Sequence, residues 1–202
     1  MRSPTEPTRI HRLALLLVAG GAVGLLAAAM LLIEKIALIQ DPDYIPACNI
    51  NPILSCGSVM STSAAEAFGF PNPILGVAAF PVVITTGVIL LAGVVLPRAY
   101  WRGLQVGVTL GVVFVHWLMF QSLYRIDALC PYCMAVWAVV IPTFIYVTLN
   151  NFSTGALPAP RRLRSFVAVI DDYRGVVLTG WYLAILAAIT QRFWDYWQTL
   201  LP

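Results

Sequence analysis

An unbroken apolar run from Leu13 to Ile33 follows the polar, basic opening MRSPTEPTRIHR, and it matches the ~20 residues a helix needs to cross a bilayer. Similar runs recur at about 73–96, 103–124 and 131–149, with a shorter one at 176–192. Since 60% of the 202 residues are hydrophobic and only 10% are charged, a water-soluble domain is excluded. The pattern predicts an all-α membrane protein with five spans, a single integral membrane domain over residues 1–202. Secretory signals have apolar cores of about 7–15 residues. The first run is longer, so it is read as a retained span, although Ala27-Ala28-Ala29 would suit a cleavage site.

The interval 34–72 is the one long polar loop. Pro42 and Pro46 oppose regular helix in its first half. Further on, Ser63-Ala64-Ala65-Glu66 fits a capping box, and Val59, Met60, Phe68 and Phe70 supply an apolar side, so a short lid helix is expected across the mouth of the bundle. Asn72-Pro73 suits a helix start, with Asn as N-cap and Pro at the first helical position. Pro81 predicts a kink in that span. Trp101, Tyr124, Trp181 and Tyr182 read most simply as an interfacial belt, and Phe193, Trp194 and Trp197 would help anchor the short fifth span.

Basic residues set the expected orientation. Arg2, Arg9, Arg12, Arg98, Arg102, Arg161, Arg162, Arg164 and Arg174 fall in intervals on one side of five spans, against Lys35, Arg125 and Arg192 on the other. The positive-inside rule then makes the N-terminus cytoplasmic and the C-terminus extracytoplasmic. Four cysteines, Cys48, Cys56, Cys130 and Cys133, fall on the extracytoplasmic side, where disulfides persist.

Cys130-Pro131-Tyr132-Cys133 opens the fourth span, which places two thiols at a helix N-terminus. Unpaired N–H groups and the helix dipole there favour the thiolate, the form that attacks disulfides. Four cysteines allow three pairings, and the short spacings favour Cys48 with Cys56 and Cys130 with Cys133 without excluding the rest. A tetrahedral zinc site is the metal alternative. The seven residues between Cys48 and Cys56, and the lack of a nearby His, argue against it. Inert structural disulfides are a further alternative to a redox relay.

The cysteine spacing, the run Asn51-Pro52-Ile53-Leu54-Ser55-Cys56-Gly57-Ser58-Val59, the later Phe70-Pro71-Asn72-Pro73-Ile74-Leu75-Gly76 and the C-x-x-C at the fourth span together resemble bacterial homologues of vitamin K epoxide reductase, over roughly residues 13–149. The resemblance implies a four-helix transmembrane bundle around a quinone, with a fifth helix added. It implies reoxidation of a thioredoxin-fold partner that forms disulfides in exported proteins, at the bacterial inner membrane, with a quinone of the ubiquinone, menaquinone or vitamin K type as electron acceptor. Some members carry the partner as a fused C-terminal domain; with the sequence ending at Pro202, a separate extracytoplasmic partner is expected. No metal and no nucleic-acid partner are expected.

By the same resemblance Cys48 exchanges with the partner, Cys56 passes electrons to Cys130, and Cys133 faces the quinone. Asn72 takes the position of an Asn that hydrogen-bonds a quinone carbonyl, and Thr62 that of a hydroxyl residue, usually Ser. Trp137, one turn beyond Cys133, stands where vertebrate enzymes have a Tyr that contacts the substrate carbonyl. An indole N–H donates with a different reach, so quinone reduction is expected and epoxide reduction is left open. His116, deep in the third span, is a candidate proton relay. A neutral His bonded to a neighbouring helix is the plainer reading. The rival functions are a quinone or epoxide reductase serving quinone recycling, and a transporter or scaffold stapled by disulfides.

Overall fold

The computed structural model describes residues 6–158 and 160–200; Arg2 of the sidedness argument lies outside them. Among the described residues five helices are long and apolar enough to cross a membrane. They are α1 (Glu6–Gln40), α3 (Pro73–Leu91), α4 (Arg98–Gln121), α5 (Pro131–Ser153) and α7 (Arg174–Arg192). Shorter helices are α2 (Cys56–Met60), α6 (Arg161–Asp172) and α8 (Trp194–Leu200). The protein is thus an all-α membrane protein.

Helix ends differ from the sequence expectation where polar residues were taken as loop. α1 runs on through Glu34 and Lys35 to Gln40, because Ile36, Leu38 and Ile39 keep it a good helix until Asp41-Pro42. The loop therefore starts at about 41, not 34. α3 stops at Leu91 rather than near 96, closed by Gly93 in the left-handed region at φ 77°. Pro81 is accommodated inside α3 without ending it. α4 begins at Arg98 and passes into a π turn over Ser122–Ile126, and α5 continues past 149 to Ser153. The basic interval after α5 carries α6, an element the sequence reading left as loop.

α5 is the centre of the bundle, packing against α1 on one side and α4 on the other, while α1 packs along α3. Glycines permit the close α1–α3 approach. A Cβ on Gly76 would sit 2.7 Å from Ala28 Cβ, and one on Gly87 would sit 2.8 Å from the Ala14 carbonyl oxygen. Trp101, assigned to an interfacial belt by sequence, is instead buried in the core with Leu13, Ala14, Leu17 and Val147. Its carbonyl accepts from Asn151 Nδ2, a fully buried amide that also donates to Gln105.

α7 packs at the edge of the bundle and is held by polar bonds as much as by apolar contact. Trp181 Nε1 donates to His116 Nε2 at 3.0 Å, and the Tyr182 hydroxyl donates to the Ala138 carbonyl at 2.7 Å. These two aromatic residues tie helices together, which the belt reading had not foreseen. At one end Arg9 and Arg174 both pair with Asp171. At the other, Lys35 pairs with Glu66 and Arg192 with Asp127. Of the cations that sequence assigned to two sides, Arg9 and Arg174 thus lie at one end of the bundle and Lys35 and Arg192 at the other.

Candidate active site

The site is built by a backbone stitch between two loops. Leu54 and Leu129 form a single parallel β-bridge, in which Ser55 N donates to Leu129 O at 2.9 Å and Leu129 N to Ile53 O at 2.7 Å. Asn51 prepares the first loop, its Oδ1 accepting from Ile53 N and Leu54 N. Ser55 then caps α2 by accepting from Ser58 N, so Cys56 becomes the first residue of that short helix. On the second loop Cys130 is the N-cap of α5 and Pro131 its first residue. The stitch brings these two helix starts together.

Its product is a row of three sulfurs. Cys48 and Cys56 are joined by a disulfide, and Cys56 Sγ lies 3.1 Å from Cys130 Sγ. Cys130 and Cys133 are free thiols. All three sulfurs of the row belong to residues buried with Leu31 and Met60, and Leu38, Val59, Tyr132 and Cys133 pack around them. Cys130 Sγ accepts from Cys133 N at 3.4 Å, which makes it the sulfur that caps the helix. Hydrogen bonding from the Cys133 thiol holds the Cys130 thiol below its ordinary range, against the opposing effect of burial. Sequence reasoning favoured the same short-range pairing for Cys48 and Cys56. The other pairing it favoured, Cys130 with Cys133, is open in this structure.

The lid over this cluster is α2 followed by a 3-10 turn, Ser63–Glu66. The expected capping box does not form. Thr62, not Ser63, holds the N-cap position and makes no capping bond with its side chain; its hydroxyl donates to Val59 O at 2.8 Å. Glu66 turns instead to Lys35, whose Nζ lies 2.9 Å away and also donates to Met60 O at 2.7 Å. Asn72 likewise makes no capping bond with its side chain. Its Nδ2 donates to Ala64 O at 2.7 Å and its Oδ1 accepts from Ala67 N at 3.1 Å, so it fastens the lid to the start of α3.

Trp137 is buried in the cluster that spans α4, α5 and α7, and Cys133 and Met134 pack against that cluster. His116 stands apart from the sulfurs in the bonding pattern. Its Nε2 accepts from Trp181, which leaves Nδ1 as the protonated nitrogen, donating to Val112 O at 2.7 Å. A cavity of about 490 Å³ between Arg9, Phe152, Thr154 and Asp171 lies at the end remote from the thiols. Among the described residues no three His, Cys, Asp or Glu side chains gather as a metal site.

Lys35 and Leu129 are the site-building residues that sequence reasoning missed. Lys35 carried one signal, a lone cation at the end of an apolar run. Leu129 carried none.

Chemically, three aligned cysteines of which two are bonded form a thiol–disulfide exchange unit, because a thiolate attacks a disulfide sulfur and transfers the bond. No curated protein sequence matches the chain. The sequence profile of the Vitamin K epoxide reductase family matches residues 15–148, more than half of the chain and all four cysteines. With that match added to the sulfur geometry, the chain belongs to the vitamin K epoxide reductase family.

Proposed function

We propose that this quinone-linked thiol oxidoreductase reoxidises a thioredoxin-fold partner outside the cytoplasm and so drives disulfide formation in exported proteins. The observation that carries the reading is the 3.1 Å approach of Cys56 Sγ to Cys130 Sγ while Cys56 is bonded to Cys48. A partner thiolate attacks Cys48, and the electron pair leaves on Cys56. Cys56 attacks Cys130 of an oxidised Cys130–Cys133 pair, and Cys133 receives the pair as thiolate. The partner's second thiolate attacks the partner sulfur held by Cys48, so the partner leaves oxidised and Cys48 leaves as thiolate. Cys48 attacks Cys56, the Cys48–Cys56 bond closes and Cys130 leaves as thiolate; each of these steps exchanges one sulfur bond for another. Cys130 and Cys133 then rejoin, their two electrons and two protons passing to a membrane quinone.

The arrangement in this structure, with Cys48–Cys56 closed and Cys130 and Cys133 as thiols, corresponds to the relay after electrons have reached the inner pair. Cys133 is half-buried beside apolar groups of α5, a suitable wall for a hydrophobic acceptor. Asn72 and Trp137 are the proposed quinone-binding side chains, with Thr62 holding the lid beside them. The amide of Asn72 keeps one N–H beyond its bond to Ala64 O. We place the thiol end outside the cytoplasmic face of the inner membrane, in keeping with Arg9 and Arg174 gathered at the opposite end.

The test is quinone reduction in proteoliposomes, driven by a reduced thioredoxin-fold protein or by dithiothreitol. Cys133→Ala should abolish turnover with either donor. Cys48→Ala should abolish only protein-driven turnover. Full protein-driven turnover by Cys48→Ala would refute the proposed partner exchange, and turnover by Cys133→Ala would refute the relay.

A further inference from the structure

α6 joins the end of α5 at Ser153 to the start of α7 at Arg174, so it lies at the bundle end where Arg9 and Arg174 meet Asp171. Its 12 residues are too few to cross a bilayer. A helix of that length reaches only about 18 Å, against a hydrocarbon core of ~30 Å. One side of α6 is already in use. Val167 and Ile170 pack against the core cluster of α4, α5 and α7, and Asp171 pairs with Arg9 of α1 and Arg174 of α7. These positions, i, i+3 and i+4, share a helix face.

The stripe beside that face is open. Phe166 is 63% exposed, Val169 55% and Tyr173, at the C-cap, 61%, and spacings of three and four set them in one row. Val176, Leu183 and Leu186 are exposed along α7, where a spanning helix gives apolar surface to acyl chains. The open row of α6 therefore runs on, in sequence, into surface that lipid covers.

Charge decides which lipid. Arg161, Arg162 and Arg164 fall within the first four positions of α6, and no acidic residue stands in that turn. The acidic pair of α6, Asp171 and Asp172, comes at its other end, and Asp171 is matched by two arginines. Cations at a helix start oppose the helix dipole, a cost that negative charge from outside the helix offsets. Basic segments beside a spanning helix are drawn to acidic headgroups, and apolar residues on the same short helix hold it at the acyl boundary.

We propose that α6 is an interfacial helix that binds anionic phospholipid in the leaflet at this end of the bundle. Phe166, Val169 and Tyr173 enter the acyl boundary, and the arginine-rich first turn meets the headgroups. The site lies outside residues 15–148, which the family profile matches, and it does not depend on the relay.

The experiment places the full-length protein in nanodiscs of phosphatidylcholine, alone or mixed with phosphatidylglycerol, and follows hydrogen exchange of peptides covering 161–173 by mass spectrometry. In wild type, phosphatidylglycerol should slow exchange in α6 by about tenfold relative to phosphatidylcholine alone, while peptides of α3 stay unchanged. Arg161→Gln/Arg162→Gln/Arg164→Gln should abolish that difference. Phe166→Ser/Val169→Ser should speed exchange of α6 in both lipids. Arg164→Gln alone should remove part of the difference, and it serves as the readout if the triple variant does not fold. Equal exchange of α6 in the two lipids overturns the proposal and leaves the open row to a protein partner. A difference that survives the triple substitution overturns it too. So does inorganic phosphate, if it gives the same protection in phosphatidylcholine alone, because the ligand is then a free anion.

Discussion

Leu54 and Leu129, 75 positions apart in the chain, are paired in a one-residue parallel bridge, and that bridge sets Cys56 beside Cys130. Ser55→Pro removes the N–H that donates to Leu129 O and opposes the φ of −138° found at Ser55. It should slow electron transfer from Cys48/Cys56 to Cys130/Cys133 by about tenfold or more, in keeping with loss of a buried bond worth about 1–3 kcal/mol. Ser55→Ala keeps the bridge and loses the hydroxyl that caps Ser58 N and bonds Asn49 Oδ1 and Ser58 Oγ, so its transfer rate should stay close to wild type while stability drops by about 1 kcal/mol. Thiol trapping after a dithiothreitol pulse, together with thermal melts, checks both.

The Cys130 thiol is held below its ordinary range first by the hydrogen bond from Cys133. A lowered value means that thiolate persists to lower pH, so iodoacetamide labelling of Cys130 should level off at a pH below that of an ordinary cysteine. Cys133→Ala removes the donor and should move the profile upward, and Cys133→Ser should move it less. The sign also fixes the effect on stability. The contribution is present above the ordinary cysteine value and is lost as pH falls through the lowered one. Labelling followed by peptide mass spectrometry gives the profile.

Gly87 is pressed against the α1 backbone, where a Cβ would meet Ala14 O at 2.8 Å and Val18 N at 3.0 Å. Gly87→Ala should therefore destabilise the α1–α3 pair by about 1–3 kcal/mol, the range for overpacking. Gly107, which a Cβ would leave without neighbours within 4 Å, is the control. Gly107→Ala should be neutral or slightly stabilising in a denaturation series in detergent.

Trp181→Phe removes the indole donor from His116 Nε2. Inter-helix bonds of this kind in membranes average about 0.6 kcal/mol, so a small fall in melting temperature is expected. Because both His116 nitrogens are already bonded, quinone turnover should remain within about twofold of wild type in Trp181→Phe and in Trp181→Phe/His116→Leu. A loss of turnover confined to the His116 replacement would instead support a proton relay through that residue.

Much of the bundle was legible in the chain. Apolar runs located all five long helices, since burial in lipid demands a length and composition that few other structures share. Their ends were less legible: Glu34 and Lys35 looked like loop, although the cluster beneath the lid buries them within α1. The role of Asn72 shows a second gap. Asn-Pro predicted a side-chain cap, but Ala64 O and Ala67 N lay close enough to claim both ends of its amide.

Residue order by itself determined the number of long helices, the start of α5 at Pro131 and the placing of four thiols toward one end, because helical period and bilayer thickness act along the chain. Only the tertiary structure decided that Cys56 meets Cys130, that Lys35 and Asn72 hold the lid, and that Glu34 is buried without a partner for Oε2. These depend on which backbone and side-chain groups packing brings within hydrogen-bond reach, and that is a property of contacts between distant segments, invisible to any local pattern.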